Sequence, residues 1–147
     1  MFNIYALIAQ YAAGVSIVAL IWYILLACGM WQMFAKAGEA GWKALIPIYN
    51  FYIMFKIAWK GNMFWIWVLC TFLGGFFAGM ATNSIMYALA NAFNLVSYII
   101  LIVLWYNVSI AYGHGLGYFL GLWFLQPIFL MIIGFGSSRF VGNRYAF

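Results

Sequence analysis

The chain has 147 residues, of which 70% are hydrophobic, 23% aromatic and only 5% charged, with a formal net charge of +5. With a mean hydropathy of +1.08 it is far too apolar for a soluble domain of this size, and it reads as one integral membrane bundle without a bulk solvent domain. In that setting the surplus of cations reports orientation in the bilayer, and no nucleic-acid partner is expected.

The first apolar run, 4–31, has no basic region ahead of it and is too long for a signal-peptide core, so it is expected to remain as a span. Ala9 with Ala13, Gln10 with Gly14 and Ala12 with Ser16 recur at the four-residue spacing that lets a partner backbone approach. Cys28 here and Cys70 in the second span are expected to be free, buried thiols behaving as small hydrophobes.

The loop 34–61 collects Lys36, Lys43, Lys56 and Lys60 with Glu39, the only acid. The positive-inside rule puts this loop in the cytoplasm and the amino terminus outside. Trp42-Lys43 and Trp59-Lys60 each pair an interface-seeking ring with a cation able to reach lipid headgroups. Glu39 and Lys43 stand in the favourable i,i+4 order. Trp42, Leu45, Ile46, Tyr49, Tyr52 and Ile53 share one side at helical spacing, and Pro47 biases Ile46 away from the helical region. Two short helices broken near Ile46 are therefore expected, lying along the inner surface as amphipathic elements in contact with the lipid bilayer.

The second span, 63–80, carries Gly75 and Gly79 at GxxxG spacing, which predicts a close helix crossing. Asn83 or Ser84 is placed to cap the next helix. In the third span, 84–112, Ser84, Tyr87, Asn91, Asn94 and Tyr98 fall on one face, which continues through Trp105, Ser109 and Tyr112. A carboxamide in hydrocarbon is unfavourable unless hydrogen-bonded. The stripe must then face the protein interior, another subunit or a wet cavity, and so serves as interhelical glue, a docking seam or the lining of a path.

Gly113-His114-Gly115-Leu116-Gly117 breaks the helix, and Gly113, Gly117 and Gly121 continue a small-residue spacing into the last apolar segment, 118–135. That segment is read as a fourth span, with Pro127 offering a kink or a re-entrant hairpin instead. A fourth crossing would put Arg139 and Arg144 outside, against the charge rule, whereas re-entry would return them inside. Four lysines in one loop outweigh two arginines in the tail, so four crossings are expected.

Acid–base or nucleophilic catalysis needs positioned titratable groups. With one glutamate, one histidine and no aspartate, no enzymatic activity is expected. His114 reads as a turn histidine, a proton relay being the speculative alternative. Met30, Met33 and Cys28 are soft donors, but Cys28 points away from Met30 on a helix, and neither a metal nor a cofactor is expected.

The stretch from Ala35 to Tyr52, with Lys36-Ala37-Gly38-Glu39 and Gly41-Trp42-Lys43-Ala44-Leu45-Ile46-Pro47-Ile48-Tyr49-Asn50, resembles the signature block of an uncharacterised family of small bacterial multi-pass membrane proteins. Lys56-Ile57 matches a following lysine-isoleucine pair, and Pro127-Ile128-Phe129 with Gly134-Phe135-Gly136-Ser137-Ser138 is similar to the family's closing block. The chain departs from that family at Gly113-His114-Gly115, where a Gly-Lys turn is usual, and at 107–112, where an acid and a lysine are usual. The resemblance implies a bacterial cytoplasmic-membrane protein with no assigned activity, in some bacteria joined to or near type I signal peptidases.

The resulting expectation is an all-α bundle of about four transmembrane helices with an amphipathic cytoplasmic loop. The leading function is a non-enzymatic accessory or scaffold subunit that docks on other membrane protein subunits, with a link to protein export or processing. Gly75, Gly79, Gly113, Gly117, Gly121, Asn91, Asn94 and Tyr98 would form the packing and docking faces, and Trp42, Lys43, Trp59 and Lys60 the membrane-surface contacts. The alternative is a small homo-oligomeric transporter or channel whose path is lined by Asn91, Asn94 and Tyr98.

Overall fold

The structure, a computed structural model, describes residues 4–144, with side chains from Gln10 onward; Ala9 of the Ala9–Ala13 pair lies outside the described side chains. The order is α1 (Ile4–Lys36), a 3-10 turn (Gly41–Leu45), α2 (Pro47–Ala58), α3 (Gly61–Gly79), α4 (Ser84–Ala111), α5 (Leu116–Phe124) and α6 (Gln126–Phe135). No strand occurs among the described residues. Three helices, α1, α3 and α4, are long and apolar enough to cross a membrane. At about 1.5 Å per residue, α1 is roughly 50 Å long and exceeds a hydrocarbon core of about 30 Å.

The single helix expected over 118–135 is two. Leu125 leaves helical geometry (φ −126°, ψ 46°) just before Pro127, which sits in the first turn of α6. The chain then folds back on itself. Tyr118 and Phe129 meet edge to face at 5.5 Å, and His114 Nε2 lies 2.7 Å from Ser138 Oγ, so the two ends of the hairpin stand side by side. The tail continues along the end of α4, where Val141 N–H donates to Ala111 O.

The loop 34–61 breaks near Ile46 as expected, but it does not lie along a surface. It forms a second hairpin. The 3-10 turn climbs back along α1, from Gly41 against the Trp31 ring to Leu45, whose carbonyl accepts a 2.7 Å hydrogen bond from Tyr23 Oη. The chain turns at Ile46, and α2 descends with Pro47 in its first turn. Ile53, Met54 and Phe55 of α2 are fully buried, because α2 packs between α3 and α4 instead of floating beside them.

α3 and α4 form an antiparallel pair. Gly74 sits against Asn94, Thr71 Oγ1 donates to Ser97 Oγ at 3.2 Å, and Phe77 stacks on Phe93 at 5.8 Å. Asn83 caps α4 by accepting from Met86 N–H at 2.9 Å. The expected crossing at Gly75 and Gly79 is displaced by one residue, since a Cβ on either would meet nothing within 4 Å. α1 instead packs along α6, running parallel to it, at Gly29 and Gly134. A Cβ on Gly134 would lie 2.6 Å from Gly29 O, and one on Gly29 would lie 2.8 Å from the Leu130 carbonyl carbon.

The core formed this way, with Met33, Phe34, Phe55, Leu104, Tyr112, Leu130 and Ile133 at its centre, fills the half of the molecule that holds both hairpins. In the other half, α1 from Gln10 to Leu25 is exposed along its length, and it packs on neither α3 nor α4. In lipid the gain from packing is close contact and not water release, so backbone-to-backbone approach sets the α1–α6 interface. Gly134→Val is therefore expected to destabilise the protein by about 1–3 kcal/mol. Gly75→Ala should be neutral or stabilise by up to about 1 kcal/mol, both read as thermal unfolding in one detergent.

Candidate functional site

Every Lys and Arg lies at the hairpin end of the bundle. Lys36 closes α1 and reaches across to α6, where its Nζ donates to Ile133 O, Gly136 O and Ser138 O at 2.7, 2.8 and 2.9 Å. A lysine at this place both satisfies terminal carbonyls and complements the negative end of the helix dipole. Glu39 takes Lys43 Nζ at 2.5 Å on one oxygen and Lys56 Nζ at 2.7 Å on the other. The Lys43 hydrogen bond, then that of Lys56, holds the Glu39 carboxyl below the usual carboxylate range. The same Glu39 bond pushes Lys56 up. Asn143 Nδ2 donates to Trp59 O, fastening the tail to the end of α2.

Of the surface residues expected from sequence, Trp42 is 52% exposed and Lys60 exposed, while Lys43 and Trp59 are half-buried. His114 stacks on Tyr118 with centroids 3.6 Å apart, and burial pushes its pKa down. Neutral at pH 7, it ties the α4–α5 turn to Ser138. Gly113 has φ 78°, which supplies that turn. Gly117 is open, and Gly121 is covered by the Phe129 ring.

The two hairpin tips converge. Pro47 and Asn50 at the start of α2, Gln126 at the start of α6, Tyr23 and Met30 of α1 and Trp105 of α4 line one cavity of about 190 Å³. Asn50 is 4% exposed; its Nδ2 donates to Ala44 O at 3.2 Å, and its Oδ1 has no hydrogen-bond partner among the described residues.

The Asn/Tyr stripe of α4 divides at this cavity. Its inner part, Trp105, Ser109 and Tyr112, is buried, with Ser109 Oγ donating to Gly115 O and Tyr112 Oη to Met33 O. Its outer part is open: Tyr87 is 57% and Tyr98 62% exposed, Asn91 is exposed and Asn94 half-buried against Gly74. Tyr98 lies about two turns above Trp105, so helical phase puts the open part over the cavity.

Among the described residues no cluster of three His, Cys, Asp or Glu side chains could hold a metal. Cys70 is buried as expected, whereas Cys28 is exposed on α1, beside the Gly29 contact with α6. Sequence reasoning also passed over Asn50, Gln126, Gly29, Gly134 and the capping role of Lys36. The echo of Pro47-Ile48-Tyr49 in Pro127-Ile128-Phe129 was the available signal for paired hairpins.

Three membrane-length helices and two proline-tipped hairpins entering from one basic end define a small helical membrane-protein class with an internal cavity. The chain matches a family of unknown function, DUF5684, over residues 42–143, and it belongs to that family. The match takes in both hairpins, α3 and α4. No curated protein and no solved structure matches the chain.

Glu39 and His114 both bind their protons less tightly when folded. Each therefore adds stability that is complete above its unfolded pKa and is lost as the pH falls through the folded one. Acidification from pH 7.5 should lower Tm in two stages, beginning near about pH 6.5 for His114 and about pH 4.5 for Glu39. The Lys56 share acts in the opposite sense, lost only as pH rises past its raised value. His114→Asn should remove the first stage and Glu39→Gln the second, followed by tryptophan-fluorescence melting across pH.

Proposed function

We propose that this protein is a non-enzymatic accessory or scaffold subunit of the bacterial cytoplasmic membrane, and that it docks other membrane subunits through the outer half of α1 and the open face of α4. The carrying observation is a pair of amides along α4, Asn91 exposed on that face and Asn94 half-buried at its edge beside Gly74. Asn91 and Asn94 lie about 10 and 15 Å along α4 from its outer end, and neither side chain has a hydrogen-bond partner among the described residues. Mid-membrane carboxamides of this kind are stabilised by hydrogen bonds across a helix–helix interface. Apolar exposure alone would not support docking, since lipid covers such surface at no cost; unpartnered amides do support it.

In this reading the basic end faces the cytoplasm, with α1, α3 and α4 as crossings and segment 118–135 as a re-entrant hairpin. Re-entry brings Arg139 and Arg144 back to the side of the four lysines, in keeping with the positive-inside rule. Trp42 and Lys60 then sit at the headgroup level. A link to export or processing rests on the family resemblance alone.

The transporter alternative draws on one specific observation, the cavity directly beneath the polar face. The Asn91→Leu/Asn94→Leu protein separates the two readings. For a docking subunit, cross-linking from a cysteine at Tyr98 to a stoichiometric membrane partner, captured in native-lipid particles, should fall at least tenfold while insertion and Tm are kept. A chain that isolates alone in native lipid would overturn the docking reading. Orientation has its own check: in a background with Cys28 and Cys70 replaced by serine, single cysteines at Lys60 and Arg144 should react with a membrane-impermeant maleimide from the same, cytoplasmic, side.

A further inference from the structure

Two helices begin at the cavity between the hairpin tips. Neither α2 nor α6 has a side chain capping its N-terminus, so the first-turn N–H groups of each lack helical partners. Pro47 removes one such group from α2, and Ile48 and Tyr49, which keep theirs, line a separate groove beside Phe64 and Trp65. At the cavity itself Asn50 Oδ1 is buried and unpartnered, and the Gln126 amide borders the space. Tyr23 Oη is already engaged on Leu45 O and Asn50 Nδ2 on Ala44 O.

We propose that this cavity is a binding site for a small uncharged molecule that carries both a hydrogen-bond donor and an acceptor, of the carboxamide, urea or alcohol class. Asn50 Oδ1 takes the donor, and the Gln126 amide meets the acceptor. Charge is disfavoured in both signs. The positive ends of two helix dipoles oppose a cation, and with no Lys, Arg or His in the lining an anion would lose its hydration without a counter-charge. The remaining walls, Phe51, Met54 and Trp105 among them, are apolar. The volume, about 190 Å³, is several times a water molecule's share of roughly 30 Å³, which suits one small solute. This site does not require the docking face: it would bind in a lone monomer as well.

The test uses the full chain in lipid nanodiscs with 2,2,2-trifluoroacetamide as probe, followed by ligand-observed fluorine NMR. Saturable binding, displaced by acetamide, is expected for the wild type. Asn50→Leu should weaken it at least tenfold. Because that change also removes the bond to Ala44, Leu26→Trp provides the second variant; it fills the cavity from α1 with Asn50 intact and should weaken binding equally. Gly75→Ala, remote from the cavity, should bind as the wild type does. Absence of saturable binding in the wild type overturns the proposal, and so does binding that survives in either variant, which would locate the probe elsewhere.

Discussion

A peptide group freed from a helix inside packed protein must find another partner, and this chain interrupts its helices twice, at Ile46 and at Leu125. Everything else in the fold answers that constraint. The first break is served by Tyr23 and Asn50, which take up Leu45 O and Ala44 O. The second is served locally, Leu125 N–H donating to Gly121 O and Phe129 N–H to Leu125 O. Irregular backbone of this kind is tolerated where it is buried in protein or lines a cavity, and the two breaks are arranged to do both at one place. The core therefore gathers around the hairpins, leaving the opposite half of the molecule to the α3–α4 pair and a bare length of α1.

The hairpins return because their ends are anchored in the same polar layer. Lys36 binds three carbonyls at the end of α6, Glu39 joins the start of the first hairpin to Lys56 near its close, and Asn143 holds the tail on Trp59. Bonds to a charged donor are stronger than neutral ones, and the charges gain from staying near water. A fourth crossing would have carried Arg139 and Arg144 away from this layer and left the α6 carbonyls without Lys36. The family match runs from Trp42, in the first hairpin, to Asn143, in this anchoring layer; the bare part of α1 lies outside it.

What was legible in the sequence followed from hydropathy and local turn chemistry. The three long spans, the break at Ile46, the Asn83 cap and the turn at Gly113 all depend on residues within a few positions of one another. The misreadings concern long-range pairing. A proline in an apolar segment marks a break, but whether the chain proceeds or returns depends on partners such as Lys36 and Ser138, about a hundred and two dozen residues away from their respective contacts. The Gly75/Gly79 pattern was plain, yet the crossing uses Gly74, because Asn94 occupies the space a side chain would need. The Glu39–Lys43 pair was legible from its i,i+4 spacing, whereas Lys56 reaches the same glutamate only through the fold. Asn50 drew no notice because an asparagine after a proline turn is ordinary until its carbonyl is found buried without a partner.

The open amides and the cavity share a wall, and that links the two proposals physically. Trp105 lines the cavity, and Tyr98, about two turns above on the same face, leads to Asn91 about two turns higher. A helix bound along Tyr98 and Asn91 would roof the cavity and exclude lipid from its outward side. Its own polar groups would then compete with a small solute for Asn50, or enclose one already bound. Because coupling between two sites is reciprocal, a solute that favours the roofed arrangement must strengthen docking by the same factor by which docking strengthens its own binding. On these two proposals an accessory subunit and a solute-binding protein are not exclusive descriptions: the polar face would set what covers the cavity, and the hairpin tips what fits beneath it.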